Sequence, residues 1–233
     1  MGVERKGRRR QREHRRARGV ARIGLSLEEF LIAAKEAGVD SLPGTAAEIL
    51  DDDVRWVLTK GKLPTAQWIE VVQTAHRVGI PTTATMMYGH VETLEERVEH
   101  MRLIRELQDE HRGFRAFISW TFQDDGNRLG GRVPLETMPT SFDYLLTQAV
   151  SRLFLDNVDH IQSSWVTQGM KVGQVALAFG ADDLGSVMLE ENVVSAAGTT
   201  HRTSAEELAH LIRSLGKVPV QRDTLYRDVR VWN

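Results

Sequence analysis

Side chains able to do chemistry occur in five groups along the chain, each close behind a short apolar stretch. They carry hydroxyl, amide, carboxylate or imidazole functions, and they are Ser41, Thr45 and Glu48; Tyr88, His90 and Glu92; Thr121 and Gln123; Gln162, Ser164, Thr167 and Gln168; and Glu190, Glu191 and Asn192. Such groups suit a ligand rich in hydroxyl and amide functions better than a bare phosphate. The pattern therefore predicts a small-molecule site assembled from several strand ends.

Several of these residues allow specific chemistry, and each also has a plainer interpretation. His90 could act as a general acid or base, or only as a hydrogen-bonded structural residue. Glu48 and Glu92 could contact a ligand, or could only place negative charge at the start of a helix. Glu190 and Glu191 could hold a metal ion, but adjacent residues in an extended segment point apart, so we predict no metal site.

Motifs of several common activities do not occur in the sequence. The chain has no P-loop, GxGxxG, GxSxG or HExxH motif, which argues against nucleotide hydrolysis, dinucleotide binding, esterase and zincin chemistry. It also has no cysteine. The chain therefore cannot itself supply a disulfide, a catalytic thiol or the thiolate ligands of an iron–sulfur cluster.

Amphipathic helices alternate with short apolar strands from about Leu25 onward, and these elements must position the five groups. Helices are predicted over 27–37, through Asp53 and Val57, and over 66–78, 94–110, 141–156, 171–179 and 204–215; strands are predicted near 39–42, 82–88, 115–122, 160–166 and 185–188. Repeated βα units require a parallel α/β sheet covered by helices, whose strands present their carboxyl ends at one edge. A closed barrel needs eight strands, so either the sheet is open or part of a barrel is missing.

Local signals fix several element boundaries. Ser26 with Glu29, and Thr93 with Glu96, predict capping boxes, and Thr65 is placed to cap the helix that follows it. Trp120 and Trp165 are predicted to lie within strands and to pack there.

Charge divides the 233 residues into two unequal parts. The net charge is −2, but residues 1–22 carry nine Arg and Lys6 against Glu4 and Glu13, which is +8 and leaves −10 for the remainder. We predict a disordered Arg-rich arm over 1–23 and a folded part over 24–233. The alternative is that the arm binds nucleic acid, but it has no aromatic residue for base stacking. Because no apolar run suits a membrane span or a signal peptide, we predict a cytoplasmic location and no membrane partner.

Several stretches of the sequence together resemble one family of enzymes. They are TATMMYGHVETLEERVEH, WTFQ, IQSSWVTQG, GADDLGSVMLEENVVSAAGT and QRDTLY, and the resemblance runs from about Gly24 to Tyr226. The chain resembles the cyclic dehypoxanthine futalosine synthase family of radical S-adenosylmethionine (SAM) enzymes, which serve menaquinone biosynthesis by the futalosine pathway. The resemblance implies a (β/α)8 TIM-type barrel and two cofactors, SAM and a 4Fe–4S cluster held by a CxxxCxxC motif.

In that family the cluster cleaves SAM to a 5′-deoxyadenosyl radical, which takes a ribose hydrogen from dehypoxanthine futalosine. The carbon radical then closes onto the benzoate ring, and loss of an electron and a proton restores aromaticity.

The resemblance also implies roles for individual residues. TMMYGHVE fits the loose GxIxGxxE pattern of radical SAM barrels at Gly89 and Glu92 but departs from its first position at Thr85. The predicted cofactor-binding residues are Glu48, Thr45, Tyr88, Gly89 and Glu92. From its residue type and its position after a strand, and not from the resemblance, the predicted catalytic residue is His90. From their positions at strand ends, the predicted substrate-binding residues are Gln162, Ser164, Gln168 and Asn192.

Two departures from the family pattern leave alternatives open. PGTAAEIL looks more like the related enzymes that build the deazaflavin chromophore of coenzyme F420, which makes FO synthase the second candidate. The family's first three strands and cluster cysteines have no counterpart here, which predicts a partial barrel of roughly strands 4–8. We therefore expect an inactive portion of such an enzyme, with a complementary N-terminal fragment as a possible partner. A non-catalytic binding module is the remaining alternative.

Overall fold

A computed structural model describes residues 24–44, 47–59, 63–123, 138–187 and 203–232 of the chain. Within these ranges the helices are α1 (Leu27–Glu36), α2 (Asp52–Thr59), α3 (Thr65–Arg77), α4 (Leu94–His111), α5 (Ser141–Phe154), α6 (Trp165–Gln168), α7 (Met170–Ala176) and α8 (Ala205–Ser214). The strands are β1 (Thr82–Tyr88), β2 (Phe114–Thr121), β3 (His160–Gln162), β4 (Val220–Arg222) and β5 (Asp228–Val231). The predicted arm over 1–23 lies outside the described residues.

Side-chain caps begin several of the helices. Both predicted capping boxes are present, at Ser26 for α1 and at Thr93 for α4, and Thr140 forms a further one at α5. The prediction that Thr65 caps α3 is wrong, because the helix already begins at Thr65 and Pro64 precedes it without a side-chain cap.

The main sheet is parallel and keeps the order of the chain. β1 pairs with β2, and β2 pairs with β3. Single parallel bridges extend it at both sides, from Leu42 to Thr82 and from Gln162 to Asp183. Sequential neighbours of this kind are typical of an arc of a βα barrel, whereas a doubly wound sheet reverses its strand order.

Three of the five predicted strands are shorter than expected. The strand predicted near 39–42 is reduced to the single bridge at Leu42, and the one predicted near 185–188 does not form over its described residues 185–187, because the bridge to Gln162 lies earlier, at Asp183. The strand predicted over 160–166 ends at Gln162, and Trp165 begins α6 instead of lying in a strand. The physical reason lies at Ser164, whose backbone N–H donates to the Tyr144 hydroxyl at 2.7 Å and so leaves the strand ladder.

Side chains alternate between two faces of this sheet. On the helix-covered face, the Phe117 ring lies 6.4 Å from the His100 ring of α4, and Gln148 of α5 donates to the Ser119 hydroxyl at 3.3 Å. On the opposite face, called the inner face, lie the side chains that alternate with these along each strand. Its members are Thr83, Thr85, Met87, Ile118, Trp120 and Gln162.

A small antiparallel hairpin ends the described chain. β4 pairs with β5, and the Asp223 carboxylate accepts backbone hydrogen bonds from Leu225 at 2.8 Å and from Arg227 at 3.0 Å. Tyr226 adopts a left-handed φ of 62° in the turn between the strands. The sequence predicted only a tail here. In the described ranges, no helix combines the length and the apolar character that a membrane crossing requires.

Candidate functional site

The turn that follows β1 is held together by one carboxylate. Glu92 accepts the backbone N–H of Gly89 at 2.6 Å and that of His90 at 2.9 Å. Gly89 has a φ of 86°, and a Cβ at this position would lie 2.0 Å from Cγ of Pro139. Only glycine fits, because the backbone is left-handed and Pro139 packs directly against it.

His90 is enclosed by the same turn. Its Nδ1 lies 2.7 Å from the Glu92 carboxylate and 2.7 Å from the Val91 backbone nitrogen, and its Nε2 lies 2.9 Å from the Met87 carbonyl oxygen. The His90 and Glu92 side chains are both 0% exposed. In this arrangement His90 orients the turn, and the acid–base role predicted for it stays a prediction.

Arg97 completes the charge balance around Glu92. Its guanidinium lies 2.8 Å from the Glu92 carboxylate and stacks over the Tyr88 ring, 4.7 Å from the centroid. Burial by itself would raise the pKa of Glu92. The combined effect of the His90 imidazole and the two backbone N–H groups is larger, and it lowers the pKa to about 2. Glu92 is therefore an anion whose acceptor oxygens serve the protein itself. This contact set gives Glu92 a positioning role within the turn after β1, and its predicted cofactor contact stays a prediction.

The Tyr88 side chain lies on the helix-covered face and is fully buried. Burial raises the pKa of its phenol well above the ordinary value, so the hydroxyl stays neutral. Its carbonyl accepts the Phe122 N–H at 2.7 Å. Neither group of Tyr88 opens onto the inner face, so the predicted cofactor contact of Tyr88 remains a prediction that these contacts do not support.

Glu48 lies beside the carboxyl end of β1. Its carbonyl accepts the Met87 N–H at 3.1 Å, and its φ of 42° turns the chain away from the strand. One carboxylate oxygen lies 3.8 Å from the Arg55 guanidinium, and the Glu48 side chain is 12% exposed. Burial lowers the pKa of Arg55, although Glu48 opposes this. The ribose contact that the family resemblance implies for Glu48 stays a prediction.

Polar residues at the ends of β2 and β3 meet in one cluster. Gln168 Nε2 donates to the Thr121 hydroxyl at 2.8 Å, and Gln123 Nε2 donates to the same oxygen at 3.1 Å. The Thr167 hydroxyl donates to the Ser164 hydroxyl at 3.0 Å. The structure therefore brings together two predicted substrate-binding residues, Ser164 and Gln168.

Gln162 stands apart from that cluster, at the carboxyl end of β3 on the inner face. A Cβ at Gly185 would lie 2.7 Å from Gln162 Nε2, so the amide rests against the Gly185 backbone. Within the described residues the Gln162 amide makes no hydrogen bond to another side chain or backbone group. An amide held in place with unused hydrogen-bonding capacity is well suited to a polar ligand.

Some predicted residues lie outside the described ranges. These are Thr45, Asn192, Glu190 and Glu191. Conversely, Arg97, Pro139 and Tyr144 contact the residues described above, yet no role was predicted for them. Arg97 follows Glu92 by five residues and could have been suspected as its partner, whereas no local signal brings Pro139 to Gly89.

Two family models match the chain. The model described as CofH/MqnC C-terminal region matches residues 111–232, just over half of the chain. The chain belongs to this family. The model of the radical SAM superfamily matches residues 4–104, so the similarity reaches back into the Arg-rich segment.

Full-length relatives of this family are considerably longer than the chain. Cyclic dehypoxanthine futalosine synthase from Streptomyces coelicolor is 48% identical over 91% of this chain and 52% of the relative. A 5-amino-6-(D-ribitylamino)uracil–L-tyrosine 4-hydroxyphenyl transferase from Methanothermobacter thermautotrophicus is 46% identical over 91% of this chain and 58% of the relative. The chain thus spans about half the length of the curated relatives it matches.

A solved structure supports the fold assignment. The crystal structure of methylornithine synthase (PylB) superposes with a TM-score of 0.65 at 15% identity, over 83% of this chain and 56% of that chain. At this level of identity the likeness concerns the fold alone. It confirms the α/β fold, and the radical SAM assignment comes from the family model.

The cofactors of the superfamily fit this chain unequally. Radical SAM proteins use SAM and a 4Fe–4S cluster, and the resemblance to this superfamily is confirmed. The chain has no cysteine, so its residues do not fit the cluster, and among the described residues no group of three His, Asp or Glu could hold a metal ion. The carboxylate of Glu48 and the Gln162 amide do fit a hydroxyl-rich organic group.

Proposed function

We propose that this chain forms the ligand-facing part of a radical SAM barrel that cyclises dehypoxanthine futalosine in menaquinone biosynthesis. The similarity to a cyclic dehypoxanthine futalosine synthase, at 48% identity over 91% of the chain, carries this proposal. The parallel order from Leu42 through β1, β2 and β3 to Asp183 supports it, because this order corresponds to an arc of roughly strands 4–8.

The inner face supplies the proposed binding surface. Trp120 and Met87 are half-buried register partners that offer apolar contact, and Gln162 offers a polar group nearby. A futalosine derivative combines an aromatic benzoate with a hydroxylated ribose, which requires both kinds of contact. Gln162, Ser164 and Gln168 are the proposed substrate-side residues, and Glu48 is proposed to contact the ribose of SAM.

The iron–sulfur cluster must come from another polypeptide segment in this proposal. Thiolates hold such clusters, and the chain contains none. We therefore propose that a complementary N-terminal fragment supplies the cluster, and that this chain alone binds ligand without turnover. Anaerobic incubation of the purified chain with iron and sulfide should leave no cluster absorbance, and a stoichiometric cluster would contradict the proposal.

A function in deazaflavin synthesis is the second candidate. It is favoured by the 46% identity to a 5-amino-6-(D-ribitylamino)uracil–L-tyrosine 4-hydroxyphenyl transferase, which is close to the value for the futalosine enzyme. Its substrates also carry an aromatic ring and a polyhydroxyl chain. The two candidates therefore need a direct comparison of ligands.

Isothermal titration calorimetry with the full chain can make this comparison. Dehypoxanthine futalosine is expected to bind saturably, and 5-amino-6-(D-ribitylamino)uracil and tyrosine are expected not to bind. Gln162→Leu should weaken binding about tenfold through loss of a ligand hydrogen bond. The matched control Gln221→Leu changes an exposed glutamine of β4 and should leave binding unchanged. Binding of the uracil alone would favour the second candidate, and binding of neither ligand would reject both.

A further inference from the structure

We propose that Arg222, a residue of the C-terminal hairpin, positions the Gln162 amide on the inner face through Asp183. Arg222 does not touch the ligand in this proposal. The inference rests on the function proposed above for its effect on affinity, but the positioning itself is testable without any ligand.

The first link is a fork-shaped ion pair. Arg222 donates to one oxygen of the Asp183 carboxylate from Nε at 3.0 Å and from a terminal nitrogen at 2.5 Å. Both side chains are largely buried, with 22% of Arg222 and 11% of Asp183 exposed. Charge-assisted bonds in such surroundings are strong and directional, so they fix the carboxylate in one orientation.

The second link runs from Asp183 to Gln162. The other Asp183 carboxylate oxygen accepts the Gly185 backbone N–H at 2.8 Å, which fixes the turn at Gly185. The Asp183 backbone carbonyl accepts the Ser163 N–H at 2.8 Å and so joins the turn to the end of β3. Gly185 is the residue whose backbone supports the Gln162 amide, and its φ is 73°. A shift of the Asp183 carboxylate therefore moves the surface on which the amide rests.

Aromatic stacking holds Arg222 in place. Its guanidinium lies 3.8 Å from the centroid of the Tyr226 ring, and that ring stacks on His160 at 4.4 Å with an interplanar angle of 17°. A planar guanidinium can stack and donate two bonds at once, which a lysine ammonium cannot do. The hairpin therefore delivers Arg222 to Asp183 in a defined geometry, and lysine should not replace it.

Arg227 provides a matched comparison within the same hairpin. It pairs with Asp223, four residues away, at 2.6 Å, and its side chain is 72% exposed. This pair stays inside the hairpin turn and has no contact with Asp183 or Gln162 in the described residues. Arg227→Leu therefore removes the same kind of side chain without breaking the proposed link.

The ligand-free test is NMR of the glutamine side-chain amides in the 15N-labelled full chain. The Gln162 resonance is assigned by its loss in Gln162→Leu. It should shift in Arg222→Leu, Arg222→Lys and Asp183→Asn, but not in Arg227→Leu. Asp183→Asn keeps an acceptor for the Gly185 N–H, so it tests the charge link even if Arg222→Leu folds poorly. An unchanged Gln162 resonance in Asp183→Asn and Arg222→Lys would overturn the proposal.

The second test is a double-mutant cycle on binding of dehypoxanthine futalosine. Arg222→Leu should weaken affinity about fivefold to tenfold in the wild-type background but less than about twofold in Gln162→Leu, because the two changes act on one contact. Equal losses in both backgrounds would contradict a role through Gln162. If dehypoxanthine futalosine does not bind at all, the proposed function fails, while the NMR result still decides the positioning link.

Discussion

The two faces of the parallel sheet differ in how completely the rest of the protein buries their side chains. On the helix-covered face, Ala84, Met86, Tyr88 and Phe117 are fully buried. On the inner face, Thr85 is also buried, but Met87, Ile118, Trp120 and Gln162 are half-buried. Residues next to each other in the chain therefore experience opposite environments. The face that holds the fold together is therefore distinct from the face that is proposed to bind a ligand.

Polar groups differ between the two faces in their access and not simply in their pairing. On the helix-covered side, the Tyr144 hydroxyl accepts hydrogen bonds from Gln148 at 2.9 Å and from the Ser164 N–H at 2.7 Å, but the Gln148 amide oxygen is buried without a hydrogen-bond partner. On the inner face, the Gln162 amide has no hydrogen-bond partner in the part of the chain that the structure describes, and its side chain is half-buried. Unused hydrogen-bonding capacity therefore occurs on both faces, and Gln162 differs from Gln148 in being partly exposed.

Two adjacent methionines offer the strongest test of this contrast. Met86→Ala should lower the free energy of unfolding by about 2–5 kcal/mol, because Met86 is 0% exposed and truncation leaves a cavity. Met87→Ala removes the same atoms from the half-buried inner face and should cost less than about 1.5 kcal/mol. Urea denaturation of both variants measures the difference. Equal costs would mean that the inner face is packed as tightly as the helix-covered one.

The sequence predicts well those features that a few neighbouring residues determine. The bounds predicted for β1 match the structure, because TTATMMY is rich in β-branched and apolar residues and ends at a glycine. The capping boxes at Ser26 and Thr93 are likewise local patterns, complete within four residues. The family assignment is also confirmed, because it depends on several motifs spread along the chain.

Features that depend on residues distant in the chain could not be predicted from the sequence. β3 stops at Gln162 because Tyr144, on another helix, binds the Ser164 N–H. Glu92 and His90 both fit a ligand-binding pattern by type and position, yet their contacts are mainly with their own turn and Arg97. The link from Arg222 to Asp183 spans 39 positions, so its role cannot be inferred from QRDTLY alone.

Two arginines of α4 allow a comparison of stability between the interior of the helix-covered side, at Arg97, and its outer surface, at Arg102. Arg97→Ala should destabilise the chain by about 2 kcal/mol, because it removes a hydrogen-bonded partner from the fully buried Glu92 carboxylate. Among the described residues, Arg102 pairs with Glu99 and Glu106, which are about half exposed, so Arg102→Ala should cost much less than Arg97→Ala. Thermal and urea denaturation compare the two variants. A larger loss for Arg102→Ala would contradict the view that the helix-covered side is stabilised from within.

The acid dependence of stability gives a finer test of the same carboxylate. Because its pKa falls from 4.5 to about 2 on folding, ionised Glu92 stabilises the protein above about pH 4.5. That contribution declines as the pH falls toward 2, where the folded state also binds the proton. The stability difference between wild type and Glu92→Gln should therefore be greatest near neutral pH and shrink between about pH 4.5 and 2.

A control for this pH dependence lies on the surface of the same helix. Hydrogen bonds from Arg102 lower the pKa of Glu99, but its side chain is 51% exposed and solvent screens the pair. Glu99→Gln should consequently differ little from wild type at any pH. Both variants keep the half-buried His76 and the buried His100, whose pKa values burial lowers to about 4 and about 3, so acid destabilisation from these imidazoles is common to all three proteins. A pH-independent difference for Glu92→Gln would show that the carboxylate acts through shape and not through charge.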